Sequence, residues 1–110
     1  MALSVVASGT QTAVLTTEHS LHTSTLARTF VLSVDTVNMV NGDALTLRIK
    51  TRTLSGGTNR VAYVVNYAQV QGDPIKLSIP LPSAFSVEFT LQQTTGAAGR
   101  DFDWAVLSLD

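Results

Sequence analysis

Between Asp43 and Gln71 two extended segments flank Ser55-Gly56-Gly57-Thr58, and both repeat with a period of two. Leu45, Leu47, Ile49 and Thr51 alternate with Thr46, Arg48, Lys50 and Arg52, so one side of the first segment is apolar and the other carries three cations. From Arg60 to Gln71, Val61, Tyr63, Val65 and Tyr67 alternate with Ala62, Val64, Asn66 and Ala68. β-branched and aromatic residues suit a pleated, half-buried surface, and Gly-Gly punctuates the gap. A two-residue Gly56-Gly57 turn sets Arg48, Lys50 and Arg52 beside Val65, Tyr63 and Val61. A loop one residue longer or shorter sets Tyr63, Val65 and Tyr67 with Leu45, Leu47 and Ile49, which buries apolar against apolar and is the better physics. A third arrangement puts the two segments in opposite sheets.

Shorter strands are expected on either side. Leu3 to Ala7 reads as a strand ended by Ser8-Gly9, Thr10 to Thr17 as an edge strand, Glu18-His19-Ser20 as a turn, and Leu21 to Thr25 as a weak strand. Arg28 to Asp35 is firmer, with Phe30, Leu32 and Val34 sharing one face and Val31 on the other. Asn41-Gly42-Asp43 is a turn. Val37, Met39 and Val40 just before it are apolar enough to fold over an open end of the core, and a single helical turn fits only there.

Ile75, Leu77 and Ile79 alternate with Lys76 and Ser78, after which Pro80-Leu81-Pro82 runs extended, unpaired or at an edge. From Ala84 to Gln93, Phe85, Val87, Phe89 and Leu91 face the core. Thr94 to Gly99 reads as a flexible tip. In the last strand Phe102, Trp104 and Val106 alternate with Asp103, Ala105 and Leu107. Recurrent turn signals without a long helical period predict an all-β, single-domain β-sandwich over residues 1–110, jelly-roll-like and of about eight strands.

A chain of 110 residues buries roughly two-thirds of its unfolded surface, enough for one core. The absence of cysteine excludes a disulfide framework, a thiolate metal site and a cysteine nucleophile. A net charge of −1 is too balanced for a nucleic-acid binder or a polybasic membrane patch, so neither partner is expected. Charged residues make up 14%, below the usual share of about a quarter. Fifteen threonines and thirteen valines take their place, a surface suited to contact with other proteins. Met1 to Val6 lacks a basic region and a long apolar run, so no secretory signal is expected, and no stretch reaches the roughly 18 apolar residues of a membrane span.

Glu18, His19 and His22 resemble a metal cluster, but in an extended segment positions 19 and 22 point to opposite faces, so exposed turn histidines are expected. No Gly-x-Ser-x-Gly elbow is present, and scattered Ser, His and Asp carry no information; no catalytic residue, metal or cofactor is expected. Gly56-Gly57-Thr58 lacks the lysine and following helix of a phosphate loop. The Arg48, Lys50 and Arg52 stripe either pairs with an acidic protein surface or is a solvated face that discourages aggregation. Arg100 either tethers the tip to a neighbour or is solvated. Tyr63, Tyr67 and Trp104 could stack on sugar rings, yet their phase with apolar neighbours favours burial in the core or at an oligomer seam.

Three stretches read together resemble the small virion proteins of tailed bacteriophages that decorate or cement the head. They are Val5-Val6-Ala7-Ser8-Gly9-Thr10-Gln11-Thr12; Asp35-Thr36 through Met39-Val40-Asn41-Gly42-Asp43 into Leu47-Arg48-Ile49-Lys50-Thr51; and Gly99-Arg100, Phe102, Trp104 and Val106-Leu107-Ser108-Leu109. The resemblance spans nearly the whole chain and rests on turn and strand patterning; Asp101 and Asp103 are additional acids around the last strand. It implies a virion structural protein on the capsid exterior, assembled in the host cytoplasm. Its partners would be the major capsid protein and copies of itself, a trimer being favoured.

The residues expected at the capsid or subunit interface are Leu3, Val5 and Val6, in an N-terminal segment (1–10) that acts as an arm, with Arg48, Lys50, Arg52 and Arg100. Lys50, Lys76 and Pro80 are expected to protect strand edges. The alternatives are another virion part (tail, neck or fibre) and a carbohydrate-binding β-sandwich.

Overall fold

The computed structural model describes residues 3–109. In chain order its strands are β1 (Leu3–Thr12), β2 (Glu18–Ser24), β3 (Arg28–Asp35), β4 (Ala44–Thr51), β5 (Arg60–Ala68), β6 (Ile75–Leu77), β7 (Leu81–Ser83), β8 (Val87–Thr95) and β9 (Asp101–Leu109). They form two antiparallel sheets. Sheet A has the order β1-β9-β3-β6, with β7 also paired to β3, and sheet B has the order β2-β8-β4-β5. β6 and β7 are two pieces of one edge: β6 pairs with Ser33–Asp35 and β7 with Arg28–Phe30. Counted so, eight rows wind as a jelly roll, the expected all-β sandwich.

The core lies between the sheets. Phe30, Leu32, Val34, Phe102 and Val106 of sheet A meet Leu45, Leu47, Ile49, Val87, Phe89 and Leu91 of sheet B, all buried. Phe30 and Phe89 cross the interlayer edge to face, with centroids 5.9 Å apart at 68°. Alternation alone sets these faces, because a one-residue slip would expose the whole set.

The central pair takes the register that buries apolar against apolar: Leu45 opposes Tyr67, Leu47 opposes Val65 and Ile49 opposes Tyr63, within one sheet. The extra residue is Ala62, a bulge between the Ile49–Tyr63 and Lys50–Val61 pairs.

Several local expectations are corrected. Ser8-Gly9 does not end the first strand; β1 continues to Thr12 because each residue finds a partner on β9, Gly9 opposite Trp104. Glu18-His19-Ser20 is strand, paired with Gln92, Leu91 and Thr90 of β8. A bulge between Ser20 and His22 then puts His22 opposite Phe89 as His19 is opposite Leu91, so both histidines lie on the inner side. Phe85 precedes β8 and is 38% exposed, and of the three apolar residues expected over the core only Met39 is buried.

β6 inverts its phase. Ile75 and Leu77 face outward, while Lys76 places its Nζ 5.0 Å over the Tyr67 ring of sheet B and Ser78 exchanges hydrogen bonds with the Leu32 backbone. Lys76 therefore closes the side of the sandwich. Lys76 lies on an edge strand, as expected, whereas Lys50 guards no edge, since β4 lies between β8 and β5.

Candidate functional site

Four connections meet at one end of the sandwich: 13–17, 36–43, 69–74 and 96–100. They are tied to one another. The Ala13 N–H donates to Arg100 O, Gln69 N–H to Asp43 O, and Thr36 N–H to Pro74 O, at 2.9, 2.9 and 2.8 Å. Gly42 N–H donates to Gln69 Oε1, and the Asn38 amide donates to Asp101 O.

At the centre Asp43, 1% exposed, accepts from Val40 N–H and from Arg100 Nε, both at 3.0 Å on Oδ2. Buried Gln93 holds the tip from beneath, its amide donating to Thr95 O and Ala98 O and its carbonyl accepting from Arg100 N–H. The expected flexible tip is thus pinned, and Arg100 tethers it within its own chain.

This end carries apolar side chains where loops are ordinarily polar. Val14 is 59% exposed, Val37 64%, Val40 43% and Val70 59%. The non-glycine residues with positive φ among the described residues, Thr16 (67°) and Gln69 (68°), also belong here, the latter beside Val70. Backbone at positive φ, held by surrounding bonds, and exposed valines therefore occur together at this end.

On the outer face of sheet B the charges are internally neutralised, beside exposed Val61 and Val64 on β5. Glu18 on β2 reaches across β8 to Lys50 Nζ at 3.0 Å and Arg48 at 3.7 Å, and accepts from the Thr90 hydroxyl at 2.7 Å. Hydrogen bonds from Thr90 and then Lys50 hold its carboxyl below the ordinary range, against an opposing cost of burial. Arg48 also donates to Gln92 Oε1. The cationic stripe is therefore not a free surface. Arg52 lies beyond the end of β4 and braces the β4–β5 loop through Asn59 Oδ1 at 2.9 Å.

The outer face of sheet A runs from apolar to acidic. Leu3 pairs with Leu109; Val5 and Val31 flank Leu107; Ser33 lies between Ala105 and Leu77; and Asp103 lies between Thr10 and Asp35. The residues expected as an arm form β1 from Leu3 onward, Ala2 lying outside the described residues. Leu3 and Val5 belong to this outer face, whereas Val6 packs against the core. Sequence reading missed Leu109, Leu77 and Ile75 as surface residues. Leu109 was visible as an apolar residue in phase with Asp103 on β9, whereas Ile75 and Leu77, the apolar phase of β6, gave no such signal.

Among the described residues no group of three His, Asp or Glu is placed to hold a metal ion, and no helix is long and apolar enough to cross a membrane. An open depression of about 620 Å³ between Ala27 and Leu109 has Arg28 as its ionisable group. Tyr63, Tyr67 and Trp104 are half-buried against the core. The fold is an all-β, two-sheet sandwich. No protein-family model matches the chain, and neither curated proteins nor solved structures give a match.

Proposed function

We propose that the chain is a structural protein of a tailed-phage virion that binds the outer surface of the capsid and stabilises the head. One observation carries the reading: a bonded, strained end of the sandwich presents Val14, Val37, Val40 and Val70 to solvent. Ordering those loops beforehand removes entropy cost from docking, so modest apolar contacts suffice, and repetition over a shell multiplies them. The low charge content and the resemblance of the opening, central and closing stretches support the same reading.

The test uses empty heads assembled from the major capsid protein encoded in the same genome. Saturable binding at a fixed ratio to capsid subunits is expected, abolished by Val37→Lys with Val70→Lys while the melting temperature stays unchanged. No binding across salt and temperature overturns the proposal.

A further inference from the structure

Asparagine is among the thermolabile side chains, and it is most reactive before glycine, where no side chain shields the following peptide nitrogen. Asn41-Gly42 is such a pair. Both residues are exposed, in a turn closed by the Asp43 N–H on Val40 O at 3.1 Å. Gly42 takes a φ of 101°, which glycine adopts readily.

The connection after β5 grips this turn. Gln69 has a φ of 68°, a region that a non-glycine residue keeps only when its surroundings hold it there. From that position its N–H donates to Asp43 O at 2.9 Å, and its Oε1 accepts from the Gly42 N–H at 2.6 Å. Thr95 Oγ1 donates to Gly42 O at 3.3 Å, so Gly42 is held at both its N–H and its C=O. The Val70 N–H reaches Asn41 Oδ1 at 3.4 Å.

We propose that Asn41 is a site of spontaneous deamidation and that Gln69 sets its rate. Hydroxide takes the Gly42 N–H proton, and the nitrogen attacks Asn41 Cγ. The Cγ–Nδ2 bond breaks, ammonia leaves with a proton from water, and a succinimide ring remains. Water then opens the ring at either carbonyl, leaving aspartate or isoaspartate at position 41, with no oxidation or reduction. Gln69 Oε1 opposes the first step, because it holds the proton that must leave and the peptide plane that must turn. The Val70 N–H acts in the other direction, since it lies where negative charge develops on Asn41 Oδ1. Gln69 therefore decides the balance, which gives its left-handed backbone a purpose.

The product alters this end of the sandwich. Either form adds a carboxylate beside exposed Val40 and Val70. Isoaspartate also inserts a methylene into the backbone of the turn that sets Asp43 against the Val40 N–H and Arg100. This chemistry is independent of what the valines dock on.

The test incubates the folded full chain in warm, mildly alkaline buffer. Mass spectrometry follows the peptide containing position 41, with fragmentation to separate isoaspartate from aspartate. Native wild type is expected to react at Asn41 several-fold faster than at Asn38, Asn59 or Asn66, which precede Met39, Arg60 and Tyr67. It is expected to react several-fold more slowly than the same chain unfolded in guanidinium chloride, a comparison that needs no variant. Gln69→Met keeps the length and loses the acceptor, and should accelerate the folded chain several-fold at position 41 alone. Gln69→Glu keeps an acceptor oxygen and should restore the wild-type rate, with circular dichroism confirming that both variants are folded. An Asn41 that stays intact in native wild type, a native rate equal to the unfolded one, or a folded Gln69→Met that reacts no faster than wild type overturns the proposal.

Discussion

Arg100 donates from Nε to Asp43 Oδ2 at 3.0 Å, joining the β8–β9 tip to the connection before β4 across 57 positions of sequence. Asp43 is buried while the Arg100 side chain is 25% exposed. Asp43 Oδ1 has no hydrogen-bond partner, so Oδ2 carries all the compensation for burying the charge. Arg100→Met is expected to cost about 1–3 kcal/mol in urea unfolding, because it leaves a buried carboxylate with a single backbone donor. Asp43→Asn, which removes the charge together with its partner's attraction, should cost less.

Gly99 is required by close approach. A Cβ there would lie 1.8 Å from Ala13 O, a backbone atom that cannot move aside without breaking the Ala13 N–H to Arg100 O bond. Gly99→Ala is expected to lower stability by about 2 kcal/mol or more, read as a fall in melting temperature. Gly56→Ala, with nothing within 4 Å of the added Cβ, is the control and should change stability by no more than about 0.5 kcal/mol.

Strand faces were legible where alternation was decided locally. Phe30, Leu32 and Val34 identify β3 from Arg28 to Asp35, and the preference for apolar partners favoured, among three open arrangements, the register in which Leu45 opposes Tyr67. β6 was not legible in the same way. Its alternation is clean, but the face it buries is decided by Tyr67 waiting for Lys76 and by the Leu32 backbone waiting for Ser78.

The candidate site divides similarly. Arg48 and Lys50 are visible as a stripe, but their partner Glu18 faces them only because β8 lies between β2 and β4. The opposition of Asp35 and Asp103 likewise requires knowing that β3 and β9 are neighbours. Side-chain phase is a local property; strand order is a global one.

Glu18 gives a signed pH dependence. Its folded carboxyl titrates below the model-peptide value of 4.5, so the folded state holds fewer protons there than the unfolded state. The stabilisation is complete above that value and is lost as pH falls through the lowered one. With a third of the side chain exposed, solvent screening limits it to about 0.2–1 kcal/mol. Wild type and Glu18→Gln should therefore differ by a constant amount at neutral pH and converge in acid, as read by urea unfolding at a series of pH values. A gap that persists at the acid end would show that packing, not charge, makes the difference.

At the opposite side of sheet B, Tyr67 gives the converse sign. Burial first, and the neighbouring Tyr63 second, push its phenol above the ordinary value of 10.0. The folded state then retains a proton that the unfolded state gives up, so the stability from Tyr67 is full below pH 10 and is lost as pH rises through the elevated value. Tyr67→Phe keeps the ring over which Lys76 Nζ lies and removes only the titrating hydroxyl, so it should flatten the alkaline loss while preserving the closed side of the sandwich. Lys76→Met keeps the aliphatic stem and removes the cation, at an expected cost of about 0.5–1 kcal/mol at neutral pH. Ultraviolet titration of the phenolate, with Tyr63→Phe alongside, assigns the late-titrating group. A late phase that survives Tyr67→Phe would show that burial of Tyr67 is not its cause.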